Sequence, residues 1–397
     1  MLTTTSASLV KPYSKSVLLA GLTLGHMVND FYTTILPPLI PALVPVFGLS
    51  YGQIGLLSLC FSLLSGILQP TIGHLSDKHA RRKTALIAGF LLTGVGLLAI
   101  GLAPTYPLVL VASLFCGLGA ATFHPQSTHF LSRAFPDTTG RAMGIHGWGG
   151  SIGNFLAPIV VSALVSLVGW RQGVMLLIIP GLCTAFLLWH LLDEPHEVKV
   201  TSFGTGLHKD LVLVAVTFAL LSMVLKGFLT FLPMFLVEQG STLAQAGFST
   251  SLMLCVGLVA QPLGGAVYDR VGGRTVFFVC AVATGIGVLA FTHSTGRMLM
   301  VWTMVVGFFV AALFSVSLAL GCAIAKENGV GMSVGVIFGL SSTLSAFTPA
   351  LMGYVADRVG LLRSFSLLIV FAFLAAFLAL ALPRKTAASA EATMLRR

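Results

Sequence analysis

Residues 69–83 read QPTIGHLSDKHARRK, and residues 261–275 read QPLGGAVYDRVGGRT. The second stretch follows the first by 192 residues, and Arg171 and Arg363 are separated by the same distance. Within the two stretches six positions match in identity or charge, namely Gln69/Gln261, Pro70/Pro262, Gly73/Gly265, Asp77/Asp269, Lys78/Arg270 and Arg82/Arg274. This repeat predicts two similar halves that run through the molecule in the same orientation.

The composition is that of a membrane protein. Of the 397 residues, 56% are hydrophobic and only 9% are charged, whereas about 25% of the residues in a soluble domain are charged. A helix needs about 20 apolar residues to cross a bilayer. Twelve apolar runs of suitable length are predicted as spans, at 17–46, 51–73, 84–103, 107–131, 141–168, 172–192, 211–237, 243–267, 275–293, 298–325, 331–356 and 364–382.

The basic residues predict the orientation of these spans. With both termini in the cytoplasm, 17 Lys and Arg residues face the cytoplasm, four face the outside, and Lys226 lies within a span. Cytoplasmic loops of membrane proteins carry such an excess of Lys and Arg. The net charge of +10 is therefore explained without nucleic acid, and the expected location is a bacterial inner membrane.

Spans and repeat together predict an all-α membrane protein with 12 transmembrane helices in two pseudo-symmetric six-helix bundles. The expected boundaries are an N-terminal bundle at 1–192, a cytoplasmic linker at 193–210, a C-terminal bundle at 211–383 and a cytoplasmic tail at 384–397. Transporters built from two parallel repeats bind their substrate near the bilayer midplane, between the repeats.

The loop after the second predicted span resembles a signature of the major facilitator superfamily, G-x-L-x-D-R-x-G-R-R/K. It is represented here by Gly73, Leu75, Asp77, Lys78, Arg81, Arg82 and Lys83, and by a degenerate second copy that contains Asp269, Arg270 and Gly273. The resemblance implies that the loop aspartate lies near the start of span 11 and helps to close the cytoplasmic side. The alternative is that DKHARRK only anchors the chain at the membrane surface.

Two further motifs narrow the resemblance. Residues 144–160, GIHGWGGSIGNFLAPIV, contain Gly149, Gly153 and Pro158 and resemble the glycine-rich signature of exporting facilitators. GHMVNDFY at 25–32 and TFHPQS at 122–127 resemble the fosmidomycin-resistance group of bacterial exporters, although Gln126 stands where that group has an acidic residue. The resemblance implies efflux, antiport and antibiotic resistance.

Two charges lie deep within predicted spans. They are Asp30 in span 1 and Lys226 in span 7, which become equivalent when Leu36-Pro37 is aligned with Leu232-Pro233. A carboxylate at the bilayer centre costs about 3 kcal/mol, so intramembrane charges normally face a protein interior or a water-filled cavity. We expect both charges to border a central cleft, and whether they pair directly stays open.

His26 precedes Asp30 by four residues and therefore lies on the same helical face. A histidine and a carboxylate at this spacing can share a proton, which makes Asp30 and His26 the candidates for proton coupling. The alternative is that His26 only bonds a backbone carbonyl. The substrate-contact candidates are the remaining polar and aromatic residues of the central spans, namely Lys226, Asn29, Tyr32, His124, Gln126, His146, Trp148, Asn154, Phe228 and Phe338.

These features favour a proton-coupled secondary transporter, an H⁺ antiporter that exports small amphipathic or anionic compounds by alternating access as a monomer. The alternative is an importer or facilitator of a sugar or organic acid. An enzyme is not expected, because HExxH and P-loop motifs are missing from the sequence. No metal or cofactor is expected either, because the six cysteines all lie in apolar runs and no Cys/His cluster occurs.

Overall fold

A computed structural model describes residues 14–79, 81–194, 209–324 and 330–383. Within these ranges the chain forms helices and no β-strand. The helices of the first half are α1 (Lys15–Thr33), α2 (Leu36–Phe47), α3 (Tyr51–His79), α4 (Arg82–Leu102), α5 (Tyr106–Ala120), α6 (Phe123–Ala134), α7 (Thr139–Val168), α8 (Trp170–Leu176) and α9 (Ile178–Leu191). Those of the second half are α10 (Lys209–Glu238), α11 (Leu243–Cys255), α12 (Gly257–Val271), α13 (Gly273–Thr292), α14 (Arg297–Ile324), α15 (Val330–Val359), α16 (Leu361–Ser364) and α17 (Ser366–Ala379).

These helices make twelve stretches that are long and apolar enough to cross a membrane, which confirms the predicted fold class. Spans 1, 4, 6, 8 and 12 each consist of two consecutive helices, α1–α2, α5–α6, α8–α9, α11–α12 and α16–α17. The other spans are single helices. The predicted linker at 193–210 lies mostly outside the described residues, and the tail at 384–397 lies wholly outside them, so the boundaries of both stay predictions.

Each of these five spans is interrupted between its two helices, and proline explains three of the five interruptions. Pro37, Pro125 and Pro180 have no N–H to donate to the carbonyl four residues earlier, which belongs to Thr33, Ala121 and Leu176 respectively. Helices α1 and α8 end at Thr33 and Leu176, and α5 ends one residue before Ala121. A proline therefore accompanies the break within spans 1, 4 and 6, whereas prolines elsewhere lie inside continuous helices, namely Pro70, Pro158, Pro233, Pro262 and Pro349.

The two halves meet tightly at one end of the bundle, which we call the closed end. There α3 packs against α15 with backbone in direct contact: a Cβ on Gly55 would collide with the Pro349 carbonyl oxygen, and one on Gly353 with the Tyr51 carbonyl oxygen. Helix α7 packs against α11 in the same way, at Pro158 and Gly247. Small residues allow helix backbones to approach this closely.

The halves separate toward the opposite end, which we call the open end. A Cβ on Gly144 or Gly147 of α7, or on Gly335 or Gly339 of α15, would meet no atom within 4 Å. Trp148, on the same stretch of α7, is 65% exposed. In the described part of the chain the two halves therefore touch closely at the closed end, and these glycines of α7 and α15 have no such contact at the open end.

Candidate functional site

The Asp30 carboxylate lies at the centre of a polar cluster between spans 1, 4 and 5. His26 Nε2 lies 3.4 Å from Asp30 Oδ2, and His124 Nε2 lies 3.6 Å from Oδ1. The amides of Asn29 and Asn154 donate to the two oxygens at 3.1 and 3.2 Å. The Asp30 side chain is 17% exposed and that of His124 is 37% exposed, so the cluster is reached from outside mainly along His124.

The orientation of His26 determines what this cluster can hold. Its Nδ1 lies 2.8 Å from the backbone oxygen of His146, and since a carbonyl can only accept, Nδ1 carries a proton there. Nε2 then faces Asp30 either with a second proton or with a lone pair directed at a carboxylate. Only the protonated form makes a favourable contact, so the geometry provides a place for one proton between His26 and Asp30.

Span 5 makes room for this pair. Gly149 and Gly153 of α7 lie against the backbone oxygens of Thr23 and Met27 on α1. Between them, a Cβ on Gly150 would lie 2.6 Å from both Asp30 Oδ2 and His26 Nε2. The glycine-rich stretch therefore brings the backbone of span 5 directly onto the charged face of span 1. The sequence analysis had not singled out Gly150.

Aromatic rings enclose the histidines. The ring of His26 stacks on that of His146 at 4.3 Å between centroids, and on that of Phe123 at 5.7 Å. His146 is 4% exposed, and neither of its ring nitrogens has a hydrogen-bond partner within the described residues. The site thus combines one carboxylate with three imidazoles, of which His146 is the most buried.

The same cluster has donor atoms of the kind that metal ions bind. One ligand atom each of His26, Asp30 and His124 lies within 4.8 Å of the others. The sequence analysis missed this grouping because His124 is far from the other two residues along the chain. Both carboxylate oxygens of Asp30 already accept amide protons from Asn29 and Asn154, which favours a proton over a metal ion as the occupant.

Lys226 lies on span 7 without a counter-charge. In the described ranges, no hydrogen bond or ion pair is made by its ammonium group, and Asp30 is paired with histidines instead. One turn further along α10, Thr230 Oγ1 lies 3.3 Å from Ser58 Oγ of α3 in the other half. Lys226 therefore lies one turn from a contact between the two halves, and it is half-buried there.

A family comparison agrees with this architecture. The model of the family described as Major Facilitator Superfamily matches residues 22–258 and, in a second match, residues 214–396. The chain belongs to the major facilitator superfamily. The protein is therefore a multi-pass membrane transporter of a small molecule and not an enzyme.

Individual relatives place this facilitator among bacterial transporters. It is 26% identical to the fosmidomycin resistance protein of Escherichia coli (strain K12) over 376 residues, which cover 90% of each chain. It is 29% identical to the nitrite extrusion protein of Bacillus subtilis (strain 168) over 262 residues, 62% of this chain and 64% of that one. A crystal structure of a bacterial homologue of the human lysosomal transporter Spinster, inward-facing and occupied, superposes with a TM-score of 0.84 at 18% identity, covering 94% and 97% of the two chains.

Three of the predicted substrate contacts lie in the core of their own half in this facilitator. Gln126 accepts from Arg82 Nη1 at 2.9 Å and donates to Ser76 Oγ at 2.9 Å, fully buried. The Tyr32 hydroxyl donates to the Leu177 carbonyl at 2.6 Å. Phe228 packs against other aromatic rings of the second half and is fully buried. These placements do not fit direct contact with a substrate, because packing and hydrogen bonding within each half already use all three side chains.

The other predicted contacts are distributed along the facilitator's interior. Asn29, His124, His146 and Asn154 belong to the Asp30 cluster or border it, as described above. Trp148 extends from α7 at the open end. Phe338 of α15 contacts Phe314 at 4.7 Å between ring centroids and Phe218 at 5.5 Å. It therefore packs against α14 and α10 of the second half.

The predicted gating residues of the two signature loops lie at the open end, whereas Gly149 and Gly153, also predicted to gate, lie against α1 and Pro158 lies at the closed end. Arg82 is 6% exposed and also approaches the Pro125 carbonyl at 3.3 Å, whereas Arg81, Asp269 and Arg270 are exposed. Gly73 faces Pro125, where a Cβ would lie at 3.3 Å. The side chain of Asp77 and residues 325–329 before span 11 lie outside the described residues. A contact between Asp77 and the start of span 11 therefore stays a prediction.

Proposed function

We propose that the protein is a proton-coupled antiporter that exports small amphipathic or anionic compounds across the bacterial cytoplasmic membrane, working as a monomer by alternating access. The names of two relatives support export: one is a fosmidomycin resistance protein and the other a nitrite extrusion protein. The sequence contains no P-loop, which favours an ion gradient as the energy source.

The observation that carries the proposal is the Asp30 cluster. A carboxylate deep in a span, with an imidazole nitrogen 3.4 Å away that is favourably placed only when protonated, is a proton-binding site. His124, at 3.6 Å from the same carboxylate, offers a second imidazole on the more exposed side. Protons entering through His124 would reach the Asp30–His26 pair without crossing lipid.

Lys226 supplies the anion-binding function in this scheme. Its ammonium group is unpaired in the described residues and half-buried one turn from the contact between Ser58 and Thr230. An unpaired buried charge is costly, and an anionic group on the substrate would remove that cost. The substrate would therefore be held between Lys226 and the wall that contains the Asp30 cluster.

The excess of basic residues at the open end supports a cytoplasmic position for that end, with both termini on the same side. The closed end then faces outward, and the described conformation is inward-facing. The exposed gating residues Arg81, Asp269 and Arg270 would be the ones that come together when the cytoplasmic side closes.

Replacement of Asp30 tests the proposal. Asp30→Asn keeps the shape of the side chain and its amide neighbours but removes the charge that pairs with His26. In proteoliposomes with an imposed pH gradient, and with fosmidomycin and nitrite as the first probes, we expect proton-driven transport to be abolished. Asp137→Asn, at an exposed position of the open end, is the matched control and should transport normally.

Proton-driven transport that survives Asp30→Asn at the unmodified rate would refute the coupling role. The direction is measured separately, by comparing uptake and efflux in cells that contain or lack the gene. Net uptake would favour the importer of a sugar or organic acid that the sequence also allows.

A further inference from the structure

Span 2 begins at the closed end, and the second half completes the hydrogen bonding of its first turn. The first N–H groups of a helix have no partner within the helix. In α3 the third of them, on Gln53, donates to Ser50 Oγ at 3.3 Å, while Gln53 Oε1 accepts from the Ser50 N–H at 2.9 Å. This reciprocal pair is a capping box within the first half. It leaves the N–H groups of Tyr51 and Gly52 to be satisfied elsewhere.

Asp357, on α15 of the second half, satisfies both of them. Its Oδ1 accepts from Tyr51 N at 2.8 Å, and its Oδ2 accepts from Gly52 N at 2.9 Å and from Ser50 Oγ at 3.1 Å. A carboxylate at a helix N-terminus also interacts favourably with the helix dipole. All three of these bonds cross the boundary between the halves.

The surrounding contacts fit the carboxylate closely. A Cβ on Gly52 would lie 2.7 Å from Asp357 Oδ2, so glycine at that position gives the carboxylate access to the helix. The Tyr51 hydroxyl donates to Glu238 Oε1 at 2.7 Å, and Glu238 is the last residue of α10 in the second half. The start of span 2 is thus bound by acids from two different spans of the other half.

We propose that Asp357 is a positioning residue of the transport cycle, which stabilises the closed end by capping span 2 from the opposite half. Its three bonds exist only while the halves touch at this end. When they part, the Tyr51 and Gly52 N–H groups lose their acceptor and the carboxylate loses its donors. Asp357 therefore lowers the free energy of this conformation relative to the one that is open here. This inference rests on the alternating-access part of the proposed function.

The test measures how far the closed end opens. Spin labels at Thr105 and Thr295, which are exposed on the closed-end connections of the two halves, report their separation by pulsed electron paramagnetic resonance. The labels are placed in the full chain in lipid nanodiscs, with the six native cysteines replaced by alanine. With Asp357→Asn, whose amide nitrogen cannot accept from Gly52, we expect the ratio of open to closed molecules to rise about tenfold, equivalent to about 1.4 kcal/mol.

Gly52→Ala is the second variant, because it displaces the carboxylate while leaving Asp357 in place. It should reproduce the shift, and it decides the question if Asp357→Asn does not fold. Asp137→Asn, at the open end, is the matched control and should leave the distance distribution unchanged. If both variants fold and both give the distance distribution of the unmodified protein, the proposal is overturned. If Asp357→Asn does not fold, an unchanged distribution in Gly52→Ala alone overturns it. The measurement needs no substrate or proton gradient, so a failure of proton coupling would not affect its outcome.

Discussion

The Asp30 carboxylate is stabilised by its polar neighbours. Two amides and two imidazoles surround its oxygens, and Gly150 leaves the space that the His26–Asp30 pair occupies. An isolated carboxylate in a span would cost about 3 kcal/mol. At the scale of single residues, the geometry of the His26–Asp30 pair therefore depends on the absence of a methyl group at Gly150.

Gly150→Ala tests this dependence. The added Cβ would lie 2.6 Å from both His26 Nε2 and Asp30 Oδ2, so the pair must separate. We expect proton-driven transport in proteoliposomes to fall at least about tenfold, a loss of about 1.4 kcal/mol of transition-state stabilisation. Gly147→Ala, whose Cβ would meet no atom within 4 Å, should transport normally. Equal rates for the two variants would contradict the assignment.

Lys226→Gln tests the anion site. The variant keeps a polar side chain of similar length but removes the charge, and hydrogen bonds to charged groups contribute about 1.5–3 kcal/mol. We expect KM for an anionic substrate to rise about tenfold or more, and KM for an uncharged one to change little. Lys209→Gln, at the exposed start of α10, serves as the control. A similar rise in KM for the anionic and the uncharged substrate would indicate a structural role for Lys226.

At the scale of elements, the repeat has diverged in what its matched residues do. Arg171 donates from Nη1 to the carbonyls of Gly101 and Ala103 at 2.9 and 2.8 Å, at the C-terminal end of α4. Its guanidinium also lies 4.3 Å from the centre of the Trp170 ring. Arg363, its equivalent, is exposed and makes no such bond within the described residues. Only the first copy uses this arginine to hold two spans together.

Arg171→Ala should therefore destabilise the protein, whereas Arg363→Ala should not. The loss of two charge-assisted bonds to the end of α4 predicts a decrease of about 1.5–3 kcal/mol in the free energy of unfolding. Thermal unfolding in detergent compares the two variants under the same conditions. The same melting temperature for both would show that the cap on α4 contributes nothing measurable.

At the scale of the whole molecule, the proposed alternating access requires the closed end to open. Ser58 and Thr230 come from opposite halves, and their hydroxyl oxygens lie 3.3 Å apart. This contact lies one turn from Lys226 along α10. Any substrate that passes from one end of the cleft to the other must part these two residues.

Cysteines at these two positions should lock the transporter. In a background without the native cysteines, we expect Ser58→Cys with Thr230→Cys to form a disulfide under oxidant and to stop transport. A reducing agent should restore the rate, and each single variant should be insensitive to oxidant. Full transport by the oxidised and cross-linked protein would contradict alternating access through this contact.

The sequence alone determined the number of spans, their approximate limits and the membrane class, because apolar length and the spacing of charges are properties of the chain itself. It also identified Asp30 as an unusual acid and His26 as its neighbour, since residues four apart share a helical face. The prediction of two similar halves in the same orientation followed from the repeat at a separation of 192 residues.

Only the tertiary structure decided which residues from different spans meet. His124 joins Asp30 across a long separation in sequence, whereas Gln126, two residues further on, turns into the core of its own half. Asp357 caps span 2 and so joins the two halves of the chain. The sequence does not predict this contact, because Asp357 is about 300 residues from Tyr51 and Gly52. These pairings depend on helix rotation and crossing, which are set by packing between helices rather than by the period of any one of them.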